Sequence, residues 1–378
     1  MRRFGTTIFA EMSALAVRTG SVNLGQGFPD YPGPGTVTEA AVAAIREGRN
    51  QYPPVRGVPE LRQAVAAHQQ HWYGLAVDPD TEELVTVGAT EAIAAAVLGL
   101  CDVGDEVVVL DPTYDSYDAT IALAGAHARH VPLAPPEFTL DADALAAAFT
   151  DRTRLVLLNT PHNPTGRVLT TAELELVAEL ARRHDAVVVA DEVYEHLVFD
   201  PAAHVPIAPL PGMADRTLTI GSAGKTFSVT GWKVGWLTGP AELITAALTV
   251  KQFLTFVGSG PLQPAVALGL GEPDEDFRRR ATELAAKRDF LRDGLQDIGF
   301  DVCDAQSGYF LMADAAPLGA VDGLDFCLAL PERVGVVAIP AKVFCADQDR
   351  LRSWVRFAFC KRDDVLADGL DRLRRLTA

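Results

Sequence analysis

The sequence predicts an α/β protein with a large sheet layered between helices and a smaller α+β domain after it. Three observations carry this. Between about residues 84 and 239, short β-branched apolar runs alternate with helical patterns, the order of an α/β layer architecture. These runs are apolar almost throughout, as strands covered on both faces by helices are. Beyond the turn-rich segment Gly269-Leu270-Gly271-Glu272-Pro273, a charged helical pattern leads into three further strand-like runs. A length of 378 residues also suits two domains of roughly 150 residues each.

Taken along the chain, the amino-terminal stretch Met1-Arg2-Arg3-Phe4 carries two arginines, but Glu11 interrupts the apolar run that follows, so no signal peptide is expected. A turn-rich segment, residues 24–35, precedes the layered block. Seven strands are expected within it, at 84–87, 106–110, 128–133, 154–159, 186–190, 217–222 and 232–238, with an apolar helix at 91–100. The candidate functional residues fall at the ends of these runs, where open α/β sheets place ligands. The later part predicts a helix at 274–298 and strands at 309–312, 334–339 and 354–359. The domains are therefore drawn as 1–44 (an amino-terminal arm and part of the small domain), 45–273 (large) and 274–378 (carboxy-terminal small). No repeat or low-complexity tract interrupts them.

A formal charge of −17 argues against nucleic acid or an anionic membrane as the main partner, since either needs a basic face. No apolar run approaches the roughly 20 residues that cross a bilayer. The five cysteines are scattered, without a C-x-x-C pair, and suit reduced thiols in the cytoplasm. His162 and His196 stand beside candidate residues without metal-ligand spacing; no metal is expected, and both are read as supporting or structural.

The chemistry gathers around Lys225, in Ser222-Ala223-Gly224-Lys225-Thr226-Phe227, with Lys233 close behind. One lysine can form an imine while the other holds an anion. Gly224-Lys225-Thr226 suggests a phosphate loop, yet that motif requires a glycine at 219, where this chain has Thr219. Gly88-Ala89-Thr90 follows a strand and opens a helix, so its N–H groups could receive a phosphate or simply form a tight turn. Asp191 ends the apolar run Val187-Val188-Val189-Ala190. A partly buried carboxylate there wants a cation, whether a pyridinium N–H or a nearby arginine, unless it caps a helix. Asn163, Tyr194 and Arg356 complete a set with the parts of a pyridoxal phosphate site.

On these residues the chain resembles a class I aminotransferase of pyridoxal-phosphate fold type I. The likeness runs from Asn23-Leu24-Gly25-Gln26-Gly27-Phe28-Pro29-Asp30 through Asn50-Gln51-Tyr52-Pro53-Pro54 to Trp354-Val355-Arg356-Phe357. Within that class it is similar to the kynurenine/glutamine transaminase branch. In Glu11-Met12-Ser13-Ala14-Leu15-Ala16 and Phe359-Cys360-Lys361-Arg362-Asp363-Asp364 it most resembles the N-succinyldiaminopimelate aminotransferases of actinobacteria.

The resemblance implies a seven-stranded, mostly parallel sheet and pyridoxal 5'-phosphate as cofactor. Lys225 would link to the cofactor and move the substrate proton. Asp191 would pair with the ring nitrogen, and Asn163 and Tyr194 would bond the phenolic oxygen. Tyr114 and Val193 would cover the two ring faces. Ala89, Thr90, Ser222 and Lys233 would receive the phosphate, joined by Tyr52 from the neighbouring subunit of a homodimer. Arg356 would grip the substrate α-carboxylate, with Gly27 and Asn163 beside it. Phe9, Tyr31 and Phe256 would form the side-chain pocket, and Arg56 or Lys251 could read extra carboxylates.

The activity implied is transamination between an L-amino acid and a 2-oxo acid. N-succinyl-LL-2,6-diaminopimelate with 2-oxoglutarate, in lysine biosynthesis, is the expected pair. Kynurenine, glutamine or methionine transamination, β-elimination from cysteine S-conjugates, another specialised pyridoxal phosphate chemistry and a non-catalytic regulatory module remain the alternatives.

Overall fold

The computed structural model describes Gly5 and residues 7–377; the Met1-Arg2-Arg3-Phe4 stretch lies outside them. The large sheet has eight strands. In spatial order they are Glu83–Val87, Val234–Thr238, Thr217–Ser222, Val187–Asp191, Thr153–Asn159, Glu106–Asp111, His127–Ala134 and Thr139–Leu140. Six share one direction, while Val234–Thr238 and Thr139–Leu140 run antiparallel to their neighbours.

The alternation of side chains along a strand explains the layers. Val187 and Val189 enter a core shared with Ala92, Ile93 and Ala96 of the helix Gly88–Leu100. Val188 and Ala190 point the other way, toward Leu174, Val177 and Ala178 of the helix Thr171–Arg183. Both faces of the Val187–Asp191 strand are thus buried, which is why it reads as an unbroken apolar run. Each fully buried Val or Leu contributes roughly 1.5–3 kcal/mol. The helix Thr171–Arg183 begins at a capping box, in which Thr170 and Glu173 each satisfy the other's backbone N–H.

Three expectations change. Thr139–Leu140 is an eighth strand, too short for a periodicity signal, antiparallel to Leu133–Ala134. The strand expected from 232 begins at Val234, because Thr230–Trp232 is a 3-10 turn and Lys233 adopts a left-handed conformation, φ +53°. The run expected at 334–339 splits. Val336–Val337 pairs in parallel with Val22–Asn23, whereas Ile339–Pro340 joins a second sheet.

That second sheet is antiparallel, in the order Asp301–Val302, Phe310–Asp314, Trp354–Ala358, Ile339–Pro340. The helix Asp274–Ile298 lies where expected. The amino-terminal segment is held beside this sheet by two contacts. Its Val22–Asn23 strand pairs with Val336–Val337, and the Ala358 N–H donates to the Leu24 carbonyl at 2.6 Å. This docking brings residues from both ends of the sequence to one place.

Candidate active site

The cavity of interest lies at the carboxyl ends of parallel strands. Asn159, Asp191 and Ser222 each end a strand, and the register sets Asn159 opposite Asp191. Gly88 follows the edge strand Glu83–Val87. About 190 Å³ is enclosed here, lined by ten of the eleven expected cofactor residues: Ala89, Thr90, Tyr114, Asn163, Asp191, Val193, Tyr194, Ser222, Lys225 and Lys233. Tyr52 is not among them.

Lys225 is partly accessible, facing this cavity from the short helix Ala223–Thr226. Its Nζ lies over the Tyr194 ring at 5.3 Å and the Tyr309 ring at 5.2 Å, and the Tyr309 hydroxyl donates to the Lys225 carbonyl at 3.2 Å. Burial pulls the amine from 10.5 down to about 8; Cys360 and Asp191 oppose that pull, and Arg356 and Lys233 add to it. A lysine so placed gives up its proton more readily than a solvated one, as a nucleophile or proton acceptor must.

Asp191 is 4% exposed. Tyr117 donates to its Oδ2 at 2.6 Å, and the Val193 N–H reaches Oδ1 at 3.4 Å. Burial raises its carboxyl above the ordinary range, against the pull of the Tyr117 hydrogen bond. No arginine or lysine forms an ion pair with it among the described residues. The nearby Tyr194 hydroxyl is buried without a hydrogen-bond partner. A buried carboxylate lacking a cation and a buried hydroxyl lacking a partner, in one cavity, form a polar site incomplete by itself.

At the other end the helix Gly88–Leu100 presents its amino terminus. Gly88 has φ +69°, and a Cβ on Gly235 would stand 2.8 Å from the Gly88 carbonyl carbon, so the strand passes under the helix start only as glycine. Lys233 Nζ reaches Thr90 Oγ1 at 3.2 Å. Free N–H groups, the helix dipole and this ammonium suit a phosphate.

Arg356 is 2% exposed and lies opposite Met312 and Ile339 in the second sheet. Its Nη1 donates to Asn163 Oδ1 at 3.2 Å and its Nη2 to the Gly25 carbonyl at 3.4 Å, while Nε has no partner. The guanidinium carbon is 3.7 Å from the Phe310 ring centroid, 4.6 Å from that of Phe344 and 5.1 Å from that of Phe9. Burial lowers its affinity for protons to about 10. Among the described residues no carboxylate pairs with it. A buried planar fork without an anion is a carboxylate site.

Local hydrogen bonds build that site. The Asn23 side chain accepts from the Gly25 and Gln26 N–H groups, and Gln26 in turn holds the Phe9 carbonyl at 3.0 Å. Gly27 packs so tightly on Phe310 that an added Cβ would lie 2.2 Å from Cζ.

Other expected residues lie elsewhere. Tyr52 is 81% exposed and packs edge-on against Phe256, itself 46% exposed, at 5.6 Å; neither lines this cavity within the chain. Tyr31 lines a separate 530 Å³ cleft with Lys287. Arg56 and Lys251 are not free to read a substrate. Arg56 donates to the Thr81 and Glu83 carbonyls, and Lys251 to those of Val55 and Phe256. His162 is buried against Thr165 at 2.7 Å, and His196 meets His68 at 2.6 Å.

Sequence reasoning missed Tyr117, Asn159, Thr230, Tyr309, Phe344 and Gly25. Tyr117 stands three residues after Tyr114, one helical turn, and that spacing was a signal. Asn159, at the end of a strand beside Asp191, offered another. Gly25, Phe344 and Tyr309 arrive by tertiary packing and left none.

Comparison with known proteins agrees with this geometry. The family model for aminotransferase class I and II matches residues 19–373. The chain is 54% identical to the probable N-succinyldiaminopimelate aminotransferase DapC of Mycobacterium tuberculosis, over 99% of this chain and 96% of that one. It is 39% identical to the methionine aminotransferase of Escherichia coli, over 99% and 97%. The solved structure of N-succinyldiaminopimelate aminotransferase from Mycobacterium tuberculosis superposes with a TM-score of 0.97 at 55% identity, covering 99% of this chain and 98% of that one.

Proposed function

We propose that this chain, which belongs to the class I and II aminotransferases, transfers the amino group of N-succinyl-LL-2,6-diaminopimelate to 2-oxoglutarate, in lysine biosynthesis. The observation carrying the reaction type is one cavity system in which a lysine lowered to about 8 and a buried arginine without an anion are joined through Asn163. The 54% identity to the Mycobacterium tuberculosis relative supports the donor.

The cofactor is pyridoxal 5'-phosphate, which when bound delocalises the electrons left at the substrate α-carbon. Its fit rests on the incomplete polar site. Asp191 would take the ring N–H, the unpartnered Tyr194 hydroxyl the phenolic oxygen, and Thr90, Ser222 and Lys233 the phosphate. Tyr114 and Val193 would bound the ring. Arg356 fixes the substrate by its α-carboxylate through the guanidinium fork, and Asn163 orients that fork by accepting from Nη1. Lys225 Nζ takes the proton from the substrate α-carbon, its lowered basicity keeping it ready for the transfer.

The active unit we propose is a cytoplasmic homodimer with shared sites. The exposed aromatic group Tyr52, Phe253 and Phe256 suits burial against a second copy, where Tyr52 would reach the partner's phosphate site. Five unpaired thiols suit a reducing compartment. No helix among the described residues is long and apolar enough to cross a membrane. The division at 1–44, 45–273 and 274–378 remains our reading of the domains.

A second donor class is favoured by one observation. With Arg56 and Lys251 committed to carbonyls, the surroundings of Arg356 are the aromatic rings of Phe9, Phe310 and Phe344, which would accept methionine or kynurenine. The test is a titration of the cofactor-loaded enzyme with each donor, followed by absorption. Conversion by N-succinyl-LL-2,6-diaminopimelate, reversed by 2-oxoglutarate, supports the proposal. Conversion by methionine or kynurenine alone overturns it.

A further inference from the structure

Behind the cofactor turn lies a second cluster of donor groups that the transamination does not use. We propose that His68, Glu195 and His196 form a binding site for one divalent transition-metal ion of the zinc type. The residues come from two elements. His68 is on the helix Pro59–Tyr73, and Glu195 and His196 are on the turn after the strand Val187–Asp191.

Their ligand atoms, two imidazole nitrogens and a carboxylate oxygen, all lie within 4.8 Å of one another. Two histidines and one carboxylate are a donor set for zinc. The Nε2 atoms of His68 and His196 face each other at 2.6 Å, with the rings nearly perpendicular at 84° and centroids 4.9 Å apart. Two neutral imidazoles can share only one proton between those nitrogens. The other ring nitrogen of His68, on the far side of the ring from this contact, is buried with no hydrogen-bond partner. Burial holds both rings in the neutral form that ligates metals: His68 falls to about 4 and His196 falls well below its ordinary value.

The third ligand is already oriented. Tyr73 donates to Glu195 Oε2 at 2.6 Å, an outer contact that fixes a carboxylate toward a metal. Glu195 is 7% exposed, and burial raises its carboxyl to about 7, so a cation would restore its charge. Around the cluster stand the carboxylates of Glu192 and Asp274, the Arg280 guanidinium and the His71 imidazole; His204, paired with Glu192 at 2.9 Å, faces Glu195. An entry path exists, because Glu195, His196 and Tyr73 line a surface groove. Zinc bonds of about 2.0–2.1 Å in tetrahedral geometry set the two nitrogens about 3.3 Å apart. Binding therefore opens the histidine contact slightly and moves helix and turn apart.

The site's position gives it a consequence. Glu195 and His196 directly follow Tyr194; Val193 and Tyr194 on the same turn, and Asp191 at the end of the strand before it, line the cofactor cavity. An ion there fixes that turn to the helix Pro59–Tyr73.

The test uses untagged, cofactor-loaded enzyme, stripped with chelator and dialysed against Zn²⁺, with metal content measured by mass spectrometry. Co²⁺ in place of Zn²⁺ reports ligand geometry through its visible bands. The expected result is about one ion per chain, with affinity falling at least tenfold in both Glu195→Gln and His68→Gln. Glu195→Gln keeps the shape of the side chain and an acceptor for Tyr73, so it tests the site if the histidine variant does not fold. Failure of the wild-type enzyme to retain stoichiometric metal, or equal retention by Glu195→Gln, overturns the proposal. Binding through the cofactor or the cysteines would give the latter result.

Discussion

Replacing Lys225 with methionine should stabilise the cofactor-free enzyme at pH 7 while abolishing turnover. In the folded protein burial lowers the amine from 10.5 to about 8. At roughly 1.36 kcal/mol per pH unit that drop corresponds to about 3.4 kcal/mol of disfavoured charge. The two tyrosine rings at 5.3 and 5.2 Å return roughly 1–2 kcal/mol to the ammonium, and water in the open cavity screens it further. A net gain of about 1–2 kcal/mol remains for methionine, which has a similar length and no charge. The sign follows from the lowered value. The penalty is fully present below pH 8, declines as pH rises toward 10.5 and vanishes above it. Urea unfolding of both apoproteins at matched concentration, at pH 7 and pH 10.5, reads the difference directly. Equal stabilities at pH 7, or a gap that does not narrow with pH, would refute the burial argument.

Arg356→Lys loses the bidentate fork and its stacking on Phe310, so kcat/KM should fall roughly 10–100-fold for every amino acid donor, chiefly through KM; an unchanged KM removes Arg356 from the site. Gly27→Ala drives a methyl into Phe310, at a cost of about 1–3 kcal/mol. It should weaken donor binding while leaving the absorption of bound cofactor unaltered, and altered absorption with normal donor affinity would contradict this placement. Tyr194→Phe deletes a buried hydroxyl that has no partner, so the apoprotein should gain about 1 kcal/mol while the pH dependence of the bound cofactor's absorption shifts. A destabilised apoprotein with an unmoved profile would speak against the role. Asp191→Asn should keep the fold, since Tyr117 can still donate to the amide oxygen, but lower kcat by at least roughly a hundredfold; near-normal turnover would deny it the ring nitrogen.

Much of this protein was legible in its sequence because the relevant signals are local. The run Val187-Val188-Val189-Ala190 announces a strand buried on both faces, and the residue that ends it, Asp191, must then stand at the sheet's carboxyl edge. The Lys225 and Lys233 motifs and the Gly88-Ala89-Thr90 turn are equally local. The helix at 274–298 carries its own periodicity over many turns. Two-residue strands such as Thr139–Leu140 carry too little pattern to be seen.

What only the tertiary structure decided are the distances between segments remote in the chain. Arg356 reads as an arginine on a buried strand. That it meets Gly25 and Phe9 depends on docking the amino-terminal strand against Val336–Val337, and that it meets Asn163 and Phe344 on how the second sheet packs against the large one. Lys251 reads as a possible substrate cation, yet packing turns its ammonium onto two carbonyls. His196 stands 128 residues from His68, so no spacing rule could join them. Periodicity reports what each residue does to its own element. Partnership among buried polar groups is fixed by how elements pack, and only the assembled fold specifies it.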